Sequence, residues 1–574
     1  METGTVSVLG AGSLWYIVGA IVVFFMQCGF AMLETGLTRA KNAGNIIMKN
    51  MMDFCIGTVM FMLIGYSLMG IGDAAANAFI GKPMTIFTMS GDSFAQFFFN
   101  LVFCATAATI VSGALAERTR FSAYCVYSAV ISLIVYPVEA GWVWGSEGWL
   151  AKWGFIDFAG SGVIHAVGGL CALIGAAILG PRIGKYTRDE RGRVTKVNAI
   201  PGHNLTLAAL GVFILWFCWY AFNGAAATSL EQLARISVNT TIAPSVAACV
   251  TMVFTWVLNK KPDVSMCLNA ALAGLVAVTA SCHIIEFWAA AVIGIVSGFL
   301  IVGACNLIDQ KLHIDDPVGA VGVHFVHGVW GIIAVGLFAV PELAGNDGGL
   351  FYGSGVLLGK QIVGELAVLG WTGALITATY FAIKYLPRAV GALKEGNGLR
   401  CSAEHEISGL DISEHGLASA YADFLPSAPS YGETGEHIDL SGIRPVPVGG
   451  IAGEKYTKIT VICNQDRLPL LRDTMAEIGV QGMTVTPVMG CGVQKGHTAQ
   501  YRGIKSAVNL MPKVQVDIVV SVVDPGLVVA AAQKALNTGS VGDGKIFVSG
   551  VEDVMRVRTG ERGIAALDNE AKQE

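Results

Sequence analysis

The chain has 574 residues, of which 53% are hydrophobic and only 14% charged, and its formal net charge is -5. Mean hydropathy is +0.60, well beyond the composition of soluble domains, so a membrane protein is the default class. The small net charge gives no reason to look for a polyanionic partner, nucleic acid included.

The N-terminus has no basic region ahead of its first apolar run, so no cleaved signal peptide is expected. From Leu14 to Tyr385 eleven apolar runs recur, each near the length a membrane span needs. They cover 14–34, 43–70, 92–115, 121–140, 161–180, 204–223, 240–258, 266–282, 286–308, 318–340 and 361–385. The thirteen cysteines sit mostly singly in these runs, without metal-type spacing, and read as small hydrophobes. Basic residues cluster in alternate loops: Arg39, Lys41, Arg118, Arg120, Lys260, Lys261 and Lys311 lie on one side with the run Arg182 to Lys196. The positive-inside bias then puts the N-terminus outside and the C-terminus in the cytoplasm.

Two stretches interrupt the apolar pattern. In "DFAGSGVIHAVGG" Asp157 is followed eight residues later by His165, and in "DPVGAVGVHFVHG" Asp316 is followed eight residues later by His324. They open the fifth and tenth spans, five helices apart. An odd offset predicts opposite orientations, the signature of an inverted five-helix repeat. Both rings would then approach the midplane from opposite sides. Ionisable residues inside spans mark pathways, and glycines around them (Gly160, Gly168, Gly319, Gly328) allow close helix packing. Aromatics gather where they would flank the same axis: Phe99 and Phe103 one turn apart, Trp144, and Trp219 with Phe222 in "WYAFNG".

Beyond Tyr385 the composition turns polar. The predicted organisation is a transmembrane domain over 1–390, a cytoplasmic tail over 391–424, a linker over 425–454 and a soluble domain over 455–574. In the last, "KITVICN", "VQVDIVVSVV" and "KIFVSGV" are strand-like, and "LPLLRDTMAEIG" and "GLVVAAAQKALNTG" read as helices closed by glycine. The order strand–helix–strand–strand–helix–strand predicts an α+β, ferredoxin-like domain.

Residues 10 to about 421 resemble the ammonium transporter (Amt/Mep/Rh) family through "AMLETGLTRAKN", "VSGALAER", the two Asp–His stretches and "GLDISEHG". The resemblance implies a homotrimer of eleven-helix subunits in the cell (inner) membrane, one ammonium pore in each, and no enzymatic activity. It implies that Phe99, Phe103, Trp144 and Phe222 form the outer vestibule and gate. It places Asp157 near the recruitment site, His165 and His324 as the pore's twin histidines, and Trp219 by the pore wall. Ala226 stands where family members often have a serine, and His327 one turn after His324 is a second departure. Of His327 two readings stay open, a packing residue or a partner of the pair.

Residues 456 to about 567 resemble the PII (GlnB/GlnK-type) signal-transduction family through "MGCGVQKGHTAQYRG", "FVSGV" and "TGSVGDGKIFV" followed by "VRTGERG". That resemblance implies ATP or ADP held by Gly542, Gly544, Lys545, Arg556 and Arg558. It also implies 2-oxoglutarate with Mg²⁺ through Gln494 and Lys513. Val493 replaces an arginine common there, and Ser506 replaces the modifiable tyrosine of many relatives. A loop over 492–509 with Arg502 near its tip is expected to block the pore. Two functions follow: a transporter gated by its own PII domain, with other PII targets as further partners, or an ammonium sensor signalling through that domain with little flux.

Overall fold

The computed structural model describes residues 8–71, 77–82, 94–391, 396–417, 420, 440, 442–446, 456–464, 467–480, 482–490, 499–501, 504–506, 511–539 and 541–567. They fall into two compact units, a helical one and a smaller α/β one.

In the helical unit ten helices are long and apolar enough to cross a membrane: Leu14–Leu37, Ala40–Leu68, Phe94–Leu115, Phe121–Trp153, Ser161–Leu179, Leu205–Gly224, Leu230–Asn259, Phe287–Lys311, Val321–Phe338 and Val356–Ala389. An eleventh apolar helix, Val264–Thr279, is shorter. The protein is therefore a multi-pass membrane protein. Most of these helices lack a polar stripe, because a helix between lipid and an apolar core needs none. Helix starts carry side-chain caps where the chain leaves a polar loop: Asn204 accepts from Leu207 N–H, Ser229 from Gln232 and Asp263 from Met266. The seventh helix begins at Leu230, ten residues before the run read from the sequence, because that cap starts a helix whose first turns are polar. Pro244 lies inside it without ending it.

Small residues let helices approach backbone to backbone. A Cβ on Gly36 would lie 2.5 Å from both Asn204 O and Ala208 N, so Leu14–Leu37 and Leu205–Gly224 pack with nothing between them.

At the loop end carrying Asp315, much of the basic loop is paired rather than solvated. Arg182 donates to both carboxylate oxygens of Asp315 (2.8 and 2.9 Å) and to Glu117 (3.0 Å), which also binds Arg39. All but Arg39 are almost wholly buried. Burial works to raise the Asp315 carboxyl, but Arg182 and Arg118 outweigh it and hold the group well below the usual carboxylate range. Lys185 pairs with Asp309 at 2.8 Å, and a short hairpin, β1 (Tyr186–Arg188) with β2 (Val194–Val197), carries the rest of the loop. The tail is tied to the same end: Arg400 pairs with Glu406 (2.6 Å), and Asp411 accepts from Gly44 and Asn45 N–H (3.0 and 2.7 Å).

The second unit carries the predicted order of elements. β3 (Tyr456–Cys463), a helix at Leu468–Glu477, β4 (Thr484–Gly490), β7 (Met511–Val520), a helix at Pro525–Leu536 and β8 (Gly544–Val551) build one antiparallel sheet in the order β4-β7-β3-β8. Between β4 and β7 lie two short strands that the sequence reading did not foresee, β5 (Ala499–Tyr501) and β6 (Ile504–Ser506). Alternate strand residues (Ile459, Val461, Val516, Ile518) and helix residues (Leu471, Met475, Val528, Ala532) close a core of their own. Leu440 and Ile443, in the stretch read as linker, pack against it.

Candidate functional site

Asp157 and Asp316 do the same local work. Asp157 accepts four backbone N–H groups, from Gly160, Ser161, Gly162 and Val163, at 2.8–3.0 Å. Asp316 accepts three, from Gly319, Ala320 and Val321, at 2.8–3.0 Å. Each chain segment turns at a glycine in the left-handed region, Gly160 at φ +104° and Gly319 at φ +85°. Each continues as a π-helical turn, Ser161–Ala166 and Val321–Val326, that carries the histidine. The carboxylates are thus helix anchors. Asp157, which the family resemblance places near the recruitment site, is 3% exposed, and both its oxygens accept backbone N–H groups.

The anchored turns bring the two rings together. His165 and His324 lie with their Nδ1 atoms 3.2 Å apart and their rings stacked, centroids 5.2 Å apart. Nδ1 of one donates to Nδ1 of the other, and among the described residues His165 Nε2 has no partner. Trp219 stacks on His165 at 5.0 Å and is itself fixed by a 2.8 Å hydrogen bond from its Nε1 to the Thr279 hydroxyl.

From His165 a chain of aromatic rings runs on. Phe222 lies 5.6 Å from His165 and 4.4 Å from Phe103; Phe103 lies 4.4 Å from Phe99 and 6.1 Å from Trp144. Trp144 donates from Nε1 to the Asp157 carbonyl at 2.7 Å, tying that ring to the anchor. Beyond His324 a small cavity is lined by Phe30, Leu33, Ile110, Leu272 and Val323, with Glu34 and Asn269 as its polar side chains. The predicted aromatics and both histidines therefore form one continuous line. Glu34, at the far end, was not singled out from the sequence. Its motif "AMLETG" was read only as a family mark.

His327 is buried and faces two backbone carbonyls, Nδ1 to Gly322 at 2.8 Å and Nε2 to Ser297 at 3.3 Å. The backbone partners fit the packing reading, while His327 also lies within electrostatic reach of His324, as a partner of the pair would. Ala226 is half-buried.

In the α/β unit, Lys513 reaches from β7 to the Asn464 side chain and to the Gly542 carbonyl (2.5 Å). This joins one predicted 2-oxoglutarate residue to the predicted phosphate loop. Gly542 and Gly544 have φ +112° and +134°, and a Cβ on Gly544 would fall 1.9 Å from the Ile462 carbonyl. Only glycine fits that turn. Lys545 and Arg558 are exposed, while Arg556 pairs with Glu561 at 2.8 Å. Val493, Gln494 and Arg502 lie outside the described residues, as does the side chain of Ser506.

Comparison with known proteins fits this division. Residues 14–421 match the Ammonium Transporter Family. The chain belongs to that family. Residues 456–561 match Nitrogen regulatory protein P-II, so this family member carries a PII region after its membrane domain. It is 41% identical over 437 residues to Ammonium transporter Amt2 of Archaeoglobus fulgidus, spanning 72% of this chain and 88% of that one. Ammonium transporter 3 of Dictyostelium discoideum is 34% identical, with 71% and 93% covered. Among solved structures, a "Sensor Amt Protein" superposes with a TM-score of 0.64 at 34% identity, covering 71% of this chain and 98% of that chain. Saccharomyces cerevisiae Mep2 gives a TM-score of 0.60 at 28% identity, covering 69% and 88%.

Proposed function

We propose that this protein conducts ammonium across the cytoplasmic membrane through the aromatic–histidine line, with conduction gated by its PII domain. The observation that carries the reading is the His165–His324 contact, two ionisable rings stacked inside an apolar bundle. Bare ammonium cannot enter hydrocarbon unaided. Faces of Trp144, Phe99 and Phe103 would attract it by cation–π interaction, about 0.5–2 kcal/mol, and the Asp157 anchor adds a favourable field. Past the touching rings of Phe103 and Phe222 the passage suits neutral ammonia. There the histidines supply hydrogen-bonding sites and a route for the proton.

The matched Asp anchors support an inverted five-helix repeat with eleven spans, the short Val264–Thr279 counted among them. The loop charges support an N-terminus outside and a PII domain in the cytoplasm. We read the complete protein as a homotrimer in the inner membrane, and the α/β unit as ferredoxin-like. The Gly542–Lys545 turn fits a nucleotide phosphate, since its glycines leave room for backbone approach and Lys545 is exposed beside them. Arg556 and Arg558 would add charge. Lys513 would bind 2-oxoglutarate with Gln494, which would also hold Mg²⁺, and such binding must compete with the Asn464 and Gly542 contacts of Lys513.

These assignments predict linked binding. Calorimetry on the full-length protein is expected to show adenine-nucleotide binding that Arg558→Ala weakens. It is also expected to show 2-oxoglutarate binding that Lys513→Ala weakens more than it weakens nucleotide. If neither ligand binds at millimolar concentration, the gating proposal fails. Gating itself is tested by current in proteoliposomes: ADP is expected to close the pore and ATP with 2-oxoglutarate to release it. Arg502→Ala or deletion of residues 455–574 is expected to leave the current insensitive to both. Equal currents in wild type under all ligands would place the domain's output elsewhere. The likeness to a solved "Sensor Amt Protein" favours a second reading, an ammonium sensor with little flux; absence of current in the same assay would select it.

A further inference from the structure

Beside Asp157, the helix Tyr136–Trp144, the turn Ser161–Ala166 and the helix Val356–Ala389 pack together. Two glutamates that take no part in the aromatic–histidine line lie there. Glu139 is 0% and Glu365 4% exposed, and among the described residues all four carboxylate oxygens lack a hydrogen-bond partner. Glu139 is within electrostatic reach of Glu365, and both are within reach of Asp157. Tyr136, one turn before Glu139 and on the same face, is fully buried and its hydroxyl also has no partner. Glu365 Oε2 presses on the backbone of Gly162, where a Cβ would come within 2.4 Å. The amide of that glycine is one of the four held by Asp157. Trp142 and Trp371 pack across the same two helices, centroids 5.6 Å apart.

The other titratable groups in reach of Glu139 are Tyr136, Cys104 and Cys171. Among the described residues none of these neighbours is basic. Two ionised carboxylates without counter-charge or donors, inside a membrane span, are strongly unfavourable. A proton taken up by one of them removes one of the two charges and makes that carboxyl a donor.

We propose that Glu139 and Glu365 form a buried proton-binding site beside Asp157, and that its occupancy tunes conduction. Release of the proton adds one negative charge next to the turn that carries His165, strengthening the field felt by a cation at that end of the pore. The first half stands alone; the second rests on the conduction reading.

Infrared spectroscopy of the purified full-length protein tests the first half. A buried protonated carboxyl gives a C=O stretch that shifts in D2O. The band is expected in wild type at neutral pH and is expected to be lost in the double variant Glu139→Gln/Glu365→Gln. No such band in wild type, or a band that sodium abolishes, would overturn the proton site, the latter in favour of a metal cation. Ammonium-driven current against external pH tests the second half. Glu365→Gln, which keeps the shape of the side chain, is expected to flatten the pH dependence, and Glu365→Asp to restore part of it. An unchanged profile in Glu365→Gln overturns the link to conduction while leaving the band to decide the site. Absence of current in wild type would instead sink the conduction reading.

Discussion

Replacing His165 or His324 with alanine is expected to abolish ammonium-driven current, or to relax its ion selectivity, in a protein that still folds and assembles. The rings touch each other and Trp219 but anchor no backbone; the turns that carry them are held by Asp157 and Asp316. Removing a ring therefore leaves the helix ends intact. Losing a hydrogen bond to a charged or reacting group costs about 1.5–3 kcal/mol, about ten- to a hundredfold in rate. Current and selectivity in proteoliposomes, with size-exclusion to verify assembly, check this; wild-type behaviour in both variants would refute the role. His327→Ala is expected to affect conduction less, because both ring nitrogens of His327 face backbone carbonyls. An effect equal to that of His324→Ala would assign His327 to the pair.

Asp315→Asn is expected to destabilise the membrane domain by about 3–5 kcal/mol, the cost of leaving a buried charge without its partner. Arg182 spends two donors on Asp315 and one on Glu117, and all three side chains are at most 3% exposed. The asparagine keeps the shape but removes the charge that balances Arg182. Thermal unfolding of the solubilised protein measures this, and melting unchanged from wild type would show that Glu117 alone suffices for Arg182. The double variant Arg182→Met/Asp315→Leu is expected to recover only part of the loss, since it removes the unpaired Arg182 charge but leaves the buried Glu117 with Arg39 as its remaining ion-pair partner among the described residues. The folded-state carboxyl of Asp315 is depressed by its arginines. Its contribution is therefore fully present above the unfolded value, about pH 3.9, and is lost as pH falls below that.

The sequence carried the conduction line further than it carried its supports. The eight-residue spacing of Asp157–His165 and Asp316–His324 was visible as a repeat, but what the aspartates do in it was not. The spacing reflects a carboxylate capping the amides three to six residues on, followed by a π-helical turn; neither geometry has a residue signature of its own. Arg182 read as one member of a solvated basic loop, since nothing in the chain ties it to a carboxylate 133 residues away. Glu139 and Glu365 stood in apolar runs as intramembrane acids, but only the packing of their helices makes them a pair. The polar first turns of Leu230–Asn259 hid its start, because hydropathy sees lipid contact and not the Ser229 cap. In the PII region the alternation of Ile459, Val461 and Cys463 marked a strand facing a core, whereas β5 and β6 are too short to show a period.

Each ring hangs from its own aspartate. The 3.2 Å gap between the imidazole nitrogens is the difference between two anchor points, not a property of either side chain. If the repeats are inverted, those anchors sit at opposite faces of the bilayer. A slip of one half past the other by a fraction of an ångström would then part the rings with no rotamer changing. Membrane thickness, which acts on such halves through hydrophobic mismatch, thereby becomes a mechanical input to the passage, read out at the one place where the two suspensions meet.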